Sequence, residues 1–593
     1  MSAWRRCRPL VPRYWAIVAP TRRGRISSFA SLAALAWIVL ATPPGRTAPR
    51  DELLRLVPGD VGFCLLIEDV RGHAKALLDS PFVSQFRASP MAKLIDANET
   101  QKLTLADQFL QQYLQISAQQ LRDDILGDAL VLAYRPGPPE SPDKEAVFFL
   151  IRARNPRLLA DLIERVNTLQ KDSGDLKELT EQKYAGHTYH RRVEAKGISY
   201  YYLQGPIVAF ASRAEALHEL IDLEGRASVA EEPPLARQFR LLGVDKPLAS
   251  LLVNPRAFDA HFRHKATTAS AGQAKALGIL MKYWEALEGL GLSVILEKDF
   301  EMTLTMRARE NLLPPAARRF FAAAPGASEL PRYFPAHAML AVSGRADFAA
   351  VVEVLGGFLP DDARQAVIKA IDGSVGAIFG REFAKEILPH LGPDWGLCVV
   401  APPGGDWFPH VLAALRVQTG RDGDDADRKL LNAVNALTAL LAFHSNGGKP
   451  GPSQQKLVVQ DKVEVRYLVN DAKFPPGFRP AFALKAGYLV IGNSPDALRR
   501  FPSDALGGNG RTAGESPFLR LSFREVHRYL SDKRQPISAF AAAKNRISQE
   551  EAGRRLDGLL TALALFDSLE ISKRADPERL IVSLRLRMAQ PLK

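Results

Sequence analysis

The chain has 593 residues, 47% of them hydrophobic and 24% charged, with 78 basic against 65 acidic residues and a formal net charge of +13. That apolar content over that length is enough for more than one hydrophobic core. Only three cysteines are present, so a fold held by a disulfide framework is excluded.

The basic excess is concentrated at the start. Arg5, Arg6, Arg8, Arg13, Arg22, Arg23 and Arg25 stand in a stretch without an acidic residue, followed by an apolar run from Ile26 to Thr42 and by Pro43-Pro44-Gly45. A basic flank, an apolar centre and small residues near Ala41 predict that residues 1–50 are a signal peptide or an N-terminal membrane anchor. The run is at the lower limit of a bilayer span, about 17 to 25 residues, and an anchor would keep its arginine side inside. Arg25 sits where a twin-arginine signal carries an apolar residue, and no cysteine follows for lipid attachment. The chain is therefore expected to be exported: periplasmic, extracellular, or anchored through residues 26–42. Setting those seven arginines aside leaves a charge of +6. The remaining Lys and Arg are interspersed with acids, so no nucleic acid is expected as partner. An envelope protein, a glycan or an anionic lipid surface fits the mildly basic remainder.

From Leu56 onward the chain reads as two copies of one plan. Leu56-Val57-Pro58-Gly59-Asp60 leads into the apolar strand Val61 to Ile67, as Tyr333-Phe334-Pro335-Ala336-His337 leads into Ala338 to Val342. Leu126-Gly127-Asp128 precedes a strand from Ala129, and Leu391-Gly392-Pro393-Asp394 precedes one from Trp395. In each copy a Pro/Gly loop, a strand and a helix follow. Asn155 caps the first of these helices, Pro156 opens it, and Leu158, Leu159, Leu162, Ile163, Val166 and Leu169 form its apolar face. Next comes a hairpin that runs into a helix. Ile198 to Gln204 and Ile207 to Ala211 flank Gly205, with Ser212 as the capping oxygen; residues 481–500 repeat this design, with the turn at Gly487, Ser494 as the cap and Pro495 in the first turn. Pro247 to Val253 corresponds to Pro517 to Phe523, and the alternating strand Glu301 to Ala308 to Ile581 to Met588. Six features recurring in one order predict two homologous halves, 51–310 and 332–593, joined by a Pro/Ala-rich linker at 311–331.

Hairpins and strand-strand-helix units, rather than regular strand-helix alternation, define an α+β class. Internally duplicated antiparallel or mixed sheets with helices packed on one face are expected. Helices at 102–121 and 274–289 are placed on sheet faces, and Glu301 to Ala308 reads as a half-exposed strand. The Pro-Gly-Asp approach to an apolar strand, the Leu-Gly-x-Asp turn and Gly487-Tyr-Leu-Val-Ile-Gly-Asn-Ser-Pro-Asp-Ala-Leu498 resemble a family of exported bacterial proteins catalogued only as a domain of unknown function. The resemblance implies an envelope or secreted location and a two-half α+β fold; it implies no reaction.

No metalloprotease, nucleophile-elbow, phosphate-loop or Cys-x-x-Cys motif is present, and no cofactor is expected. Asp259, His261 and His264 are the candidate metal ligands, since histidines three apart on a helix point the same way, though a third ligand and an outer shell are still required. His187 and His190 lie on a strand, where positions three apart face opposite ways. Asp422, Asp424, Asp425 and Asp427 lack the glycine and glutamate of a calcium loop and read as a solvated loop before a helix. Tyr200, Tyr201 and Tyr202 offer aromatics to a sugar or peptide, with at least one side in the core. Cys64 and Cys398 read as small buried hydrophobes on non-equivalent strands. Two functions follow: a non-catalytic binding or scaffold module of the envelope, or a hydrolase or metal-dependent enzyme whose site is assembled only in space.

Overall fold

The computed structural model describes residues 50–589, except that within 89–103, 227–231, 244–246, 324–325, 358–390, 405, 419–425, 447–450, 475–476, 504–516 and 577–578 only a few positions, 363–366 among them, are placed. The leader and Asp422, Asp424 and Asp425 lie outside the described residues.

The first half contributes β1 (Phe63–Glu68), β2 (Ala129–Arg135), β3 (Ala146–Arg152), β4 (Leu176–Tyr184), β5 (His187–Glu194), β6 (Gly197–Gln204), β7 (Ile207–Ala211), β8 (Ala249–Val253), β9 (Leu287–Leu296) and β10 (Phe300–Ala308). The second contributes β11 (Leu340–Arg345), β12 (Leu391–Val400), β13 (His410–Val417), β14 (Gln454–Gln460), β15 (Val463–Val469), β16 (Ala481–Lys485), β17 (Tyr488–Gly492), β18 (Pro517–Ser522), β19 (Phe566–Asp576) and β20 (Arg579–Met588). Every pairing is antiparallel, and all the strands join one 20-stranded sheet. Followed across the sheet, the first half runs β4-β5-β6-β7-β3-β2-β1-β8-β9-β10. The second continues β20-β19-β18-β11-β12-β13-β17-β16-β15-β14. Strand for strand, the second order is the first in reverse, as a twofold axis between β10 and β20 requires. The axis passes through Thr303 and Ser583, which face each other in register with hydroxyls 3.1 Å apart.

Helices α1 (Arg50–Leu56), α2 (Val70–Leu78), α3 (Pro156–Asp172), α4 (Ala214–Arg226), α5 (Pro234–Arg240), α6 (Asp259–Thr268), α7 (Ala271–Ala286), α8 (Pro315–Ala323), α9 (Ala426–Ser445) and α10 (Pro495–Arg499) position the parts that matter below. The α+β class holds, and the helices divide between the two faces of the sheet. On the front, Cys64, Leu66, Phe148, Leu150 and Tyr202 pack with α1, α4 and α5. On the back, Ile151, Tyr201 and Val208 pack with α3 and the short helices Leu110–Leu114 and Leu121–Ile125. Adjacent residues of one strand, Leu150 and Ile151 or Tyr201 and Tyr202, thus serve different cores, as the two-residue period of a strand dictates. In the second half, Cys398, Ala483 and Val490 meet α10 on the front, and Leu489 meets Leu430 and Val434 of α9 on the back.

Local chemistry sets the helix starts. The Asn155 side chain accepts the Leu158 N–H at 3.1 Å, and Ser494 accepts that of Ala497 at 3.0 Å. Ser212 differs from its expected role, since its hydroxyl accepts the Val147 N–H at 3.0 Å and ties the end of β7 to β3, while α4 begins at Ala214. The 311–331 stretch contains α8.

His410, at the start of β13, is 5% exposed, and its Nδ1 has no hydrogen-bond partner. Burial, assisted by Arg500 and opposed by Asp496 and Asp406, holds its pKa below the usual 6.5. For a base with a depressed folded pKa, the unfolded chain takes the proton first. Its contribution to stability is therefore intact above about pH 6.5 and is lost as pH falls from there toward the folded value. In urea unfolding at about pH 7.5 and about pH 5, His410→Gln is expected to lose less stability on acidification than the wild type; an equal loss would remove His410 from the acid response.

Candidate functional site

The residues singled out in the sequence separate in space. His261 and His264, both on α6, line one depression of about 560 Å³ together with Glu140 and the Pro136–Pro139 loop. Asp259 is committed elsewhere, one carboxylate oxygen accepting from Trp284 Nε1 at 2.8 Å and the other lying 3.2 Å from Arg256 Nη1. Among the described residues no group of three or more His, Cys, Asp or Glu stands together as a metal would require. His187 meets the edge of Tyr202 and His190 stacks on Tyr201, so the two histidines serve opposite faces. Tyr201 and Tyr202 are 5% and 1% exposed, and Tyr201 accepts from Asn167 Nδ2 at 3.0 Å. The tyrosine run is therefore core on both faces, with only Tyr200 half-buried. Cys64 and Cys398 are free and buried, and burial pushes both thiols up to about 12.

The feature with binding capacity lies at the middle of the sheet, around the twofold axis. Here the front face takes the small polar residues. Thr303 and Thr305 are 5% and 1% exposed, Thr305 donates to the Leu242 carbonyl at 3.1 Å, and Ser250 pairs with Ser293 at 3.0 Å. The cover is close: a Cβ on Gly291 would stand 2.0 Å from Leu242 Cδ2, so a larger residue there requires the Leu242 side chain to shift. Farther along the same face, Arg585 Nε and Nη2 donate to Glu301 at 2.9 and 2.7 Å, and Arg587 Nη2 donates to Glu570 at 3.0 Å.

The back face is the reverse. β10 turns Phe300, Met302, Leu304 and Met306 to it, and in register stand Leu296, Val294, Leu292 and Leu290 of β9. On the other side of β10 stand Leu586, Leu584, Val582 and Leu580 of β20, and beyond them Leu569, Ile571 and Lys573 of β19. All but one of these side chains are apolar. None of them is buried, and Leu304 beside the axis is 46% exposed. Four strands spaced about 4.8 Å apart, with a rise of about 3.4 Å per residue, make a floor about 14 Å across and about 20 Å long. Large contiguous apolar patches of this kind mark ligand or partner surfaces. The floor is bordered by α2, whose His73 Nδ1 lies 3.2 Å from the Leu296 carbonyl, and by α8, whose Phe320 ring lies over Lys573.

The sequence held a trace of this floor in the alternation of Glu301 to Ala308 and Ile581 to Met588. Alternation does not say which side is covered, and the threonine side is. A scan against known protein families and searches of curated proteins and of solved structures find no match to this chain.

Proposed function

We propose that this is an exported, non-catalytic binding module of the cell envelope, and that its ligand is apolar and lies on the back face at the twofold axis. The half-exposed apolar floor centred on Leu304 carries this reading. Keeping that much apolar surface in contact with water is unfavourable by about 25 cal/mol per Å², so an apolar occupant gains what the floor lacks. The arginine-rich leader supports the exported location.

The neutral fluorescent probe N-phenyl-1-naphthylamine tests this with the full chain. Saturable fluorescence enhancement is expected for the wild type. Leu304→Asp, a change at an exposed position that puts a charge on the floor, is expected to weaken binding about tenfold or more, equivalent to about 1.4 kcal/mol or more. Non-saturable enhancement, or binding indifferent to Leu304→Asp, would overturn the reading.

A further inference from the structure

Lys573 is the single charged residue on the apolar floor. Its position breaks the internal symmetry: Lys573 stands opposite Val582 in β20, while its twofold mate Val294 stands opposite Met302 in β10. Among the described residues no carboxylate pairs with it. The contact made by its ammonium is with the Phe320 ring, whose centroid is 5.8 Å away. Burial holds the ammonium below the usual lysine range. A desolvated cation without a counter-ion is costly, and an anionic partner offsets that cost.

We propose that the back face holds the hydrocarbon chain of a long-chain fatty acid whose carboxylate pairs with Lys573 Nζ. This rests on the apolar-ligand reading and adds the head group to it. A single ammonium matches a single negative charge, and the floor running from Lys573 past Ile571, Val582 and Leu584 to Leu304 and Met302 is apolar throughout. Phe320 flanks the head-group end, where a ring face and a carboxylate both have access to the ammonium.

The full chain is titrated with cis-parinaric acid and with its methyl ester, which has the same chain and no charge. The acid is expected to bind about tenfold tighter than the ester in the wild type. Lys573→Met is expected to abolish that preference while leaving ester affinity intact, which also shows that the variant is folded; Lys573→Arg is expected to retain it. Equal binding of acid and ester by the wild type, both weakened by Leu304→Asp, would overturn the carboxylate anchor and leave the apolar-ligand reading standing. A preference for the acid that survives Lys573→Met would place the anchor elsewhere and overturn the assignment to Lys573. Binding of neither probe would overturn both. So would a dimer in sedimentation velocity that Leu304→Asp converts to monomer without any probe binding, since the face would then be covered by a second copy of this chain.

Discussion

Asp128→Ala is expected to lower the unfolding free energy by about 3 to 5 kcal/mol, the range for removing one partner of a buried ion pair. Asp128 Oδ1 lies 3.6 Å from Arg71 Nη2, and Oδ2 lies 2.7 Å from Arg152 Nη1. The Arg71 and Asp128 side chains are only 4% and 9% exposed. Removal of the carboxylate takes an anion away from the buried Arg71 guanidinium, which also donates to the Asp123 carbonyl, 3.3 Å away. The Asp128 backbone also anchors the turn into α2, its carbonyl accepting the Asp69 N–H at 3.1 Å, and this bond survives the substitution. The comparison is Asp394→Ala at the similar motif of the second half. Asp394 Oδ2 accepts from Tyr488 OH at 2.7 Å and from the Glu329 N–H at 3.1 Å, and among the described residues no cation pairs with it. A loss of about 1 to 3 kcal/mol is expected there. Urea midpoints of the two variants check the contrast, and equal losses would contradict the ion-pair account.

Phe148→Ala is expected to cost about 3 to 5 kcal/mol, toward the upper end of that range. Phe148 is 0% exposed, and its lateral neighbours in register are Ala133 and Ala211. The ring fills space that two alanines leave open, and neither neighbour has atoms to move into the cavity. The Arg135 guanidinium, 5.7 Å from the ring centroid, also loses its aromatic face. The control is Leu304→Ala on the half-open floor, expected to change stability by no more than about 0.5 kcal/mol. A Phe148→Ala loss below about 2 kcal/mol would mean that the front core collapses around the site.

The elements that could be read from the chain are those fixed by neighbours in sequence. The Gly205 and Gly487 hairpins, the Asn155 and Ser494 caps and the recurrence of the strands depend on local turn and capping chemistry. The Leu-Gly-Asp similarity shows where reading by pattern ends. In the structure Cys64 faces Ala133 and Ala341 faces Cys398, which makes Ala133 and Cys398 equivalent positions. Counting back four residues puts Asp394 in the place of Ala129 and Pro393 in that of Asp128. One extra residue in the turn therefore gives two similar motifs different partners. The join of β10 to β20 lay beyond local reasoning altogether, because nothing near Thr303 specifies a partner 280 residues away. The polarity of the central strands was misleading for a related reason. Thr303 and Thr305 are buried, and Thr305 meets the Leu242 carbonyl, a fact of tertiary packing. Lys573 carried no motif, and it stands out only once its apolar neighbours in β20 and across the axis are known.

The join at the axis also bears on how the chain is made. β9 is available to β10 as soon as both have been synthesised, but β10 waits for β20, at the far end of the polypeptide. At about 5 to 20 residues per second, a separation of 280 residues leaves one side of β10 open for about 14 to 56 s. During that interval the newly made half ends in a row of unpaired backbone groups beside Phe300, Met302, Leu304 and Met306, a rim suited to pairing with a neighbouring nascent chain. The first half is thus committed to a long wait in an adhesive state, and the demand it places on chaperones during biogenesis follows from the order in which two strands are translated.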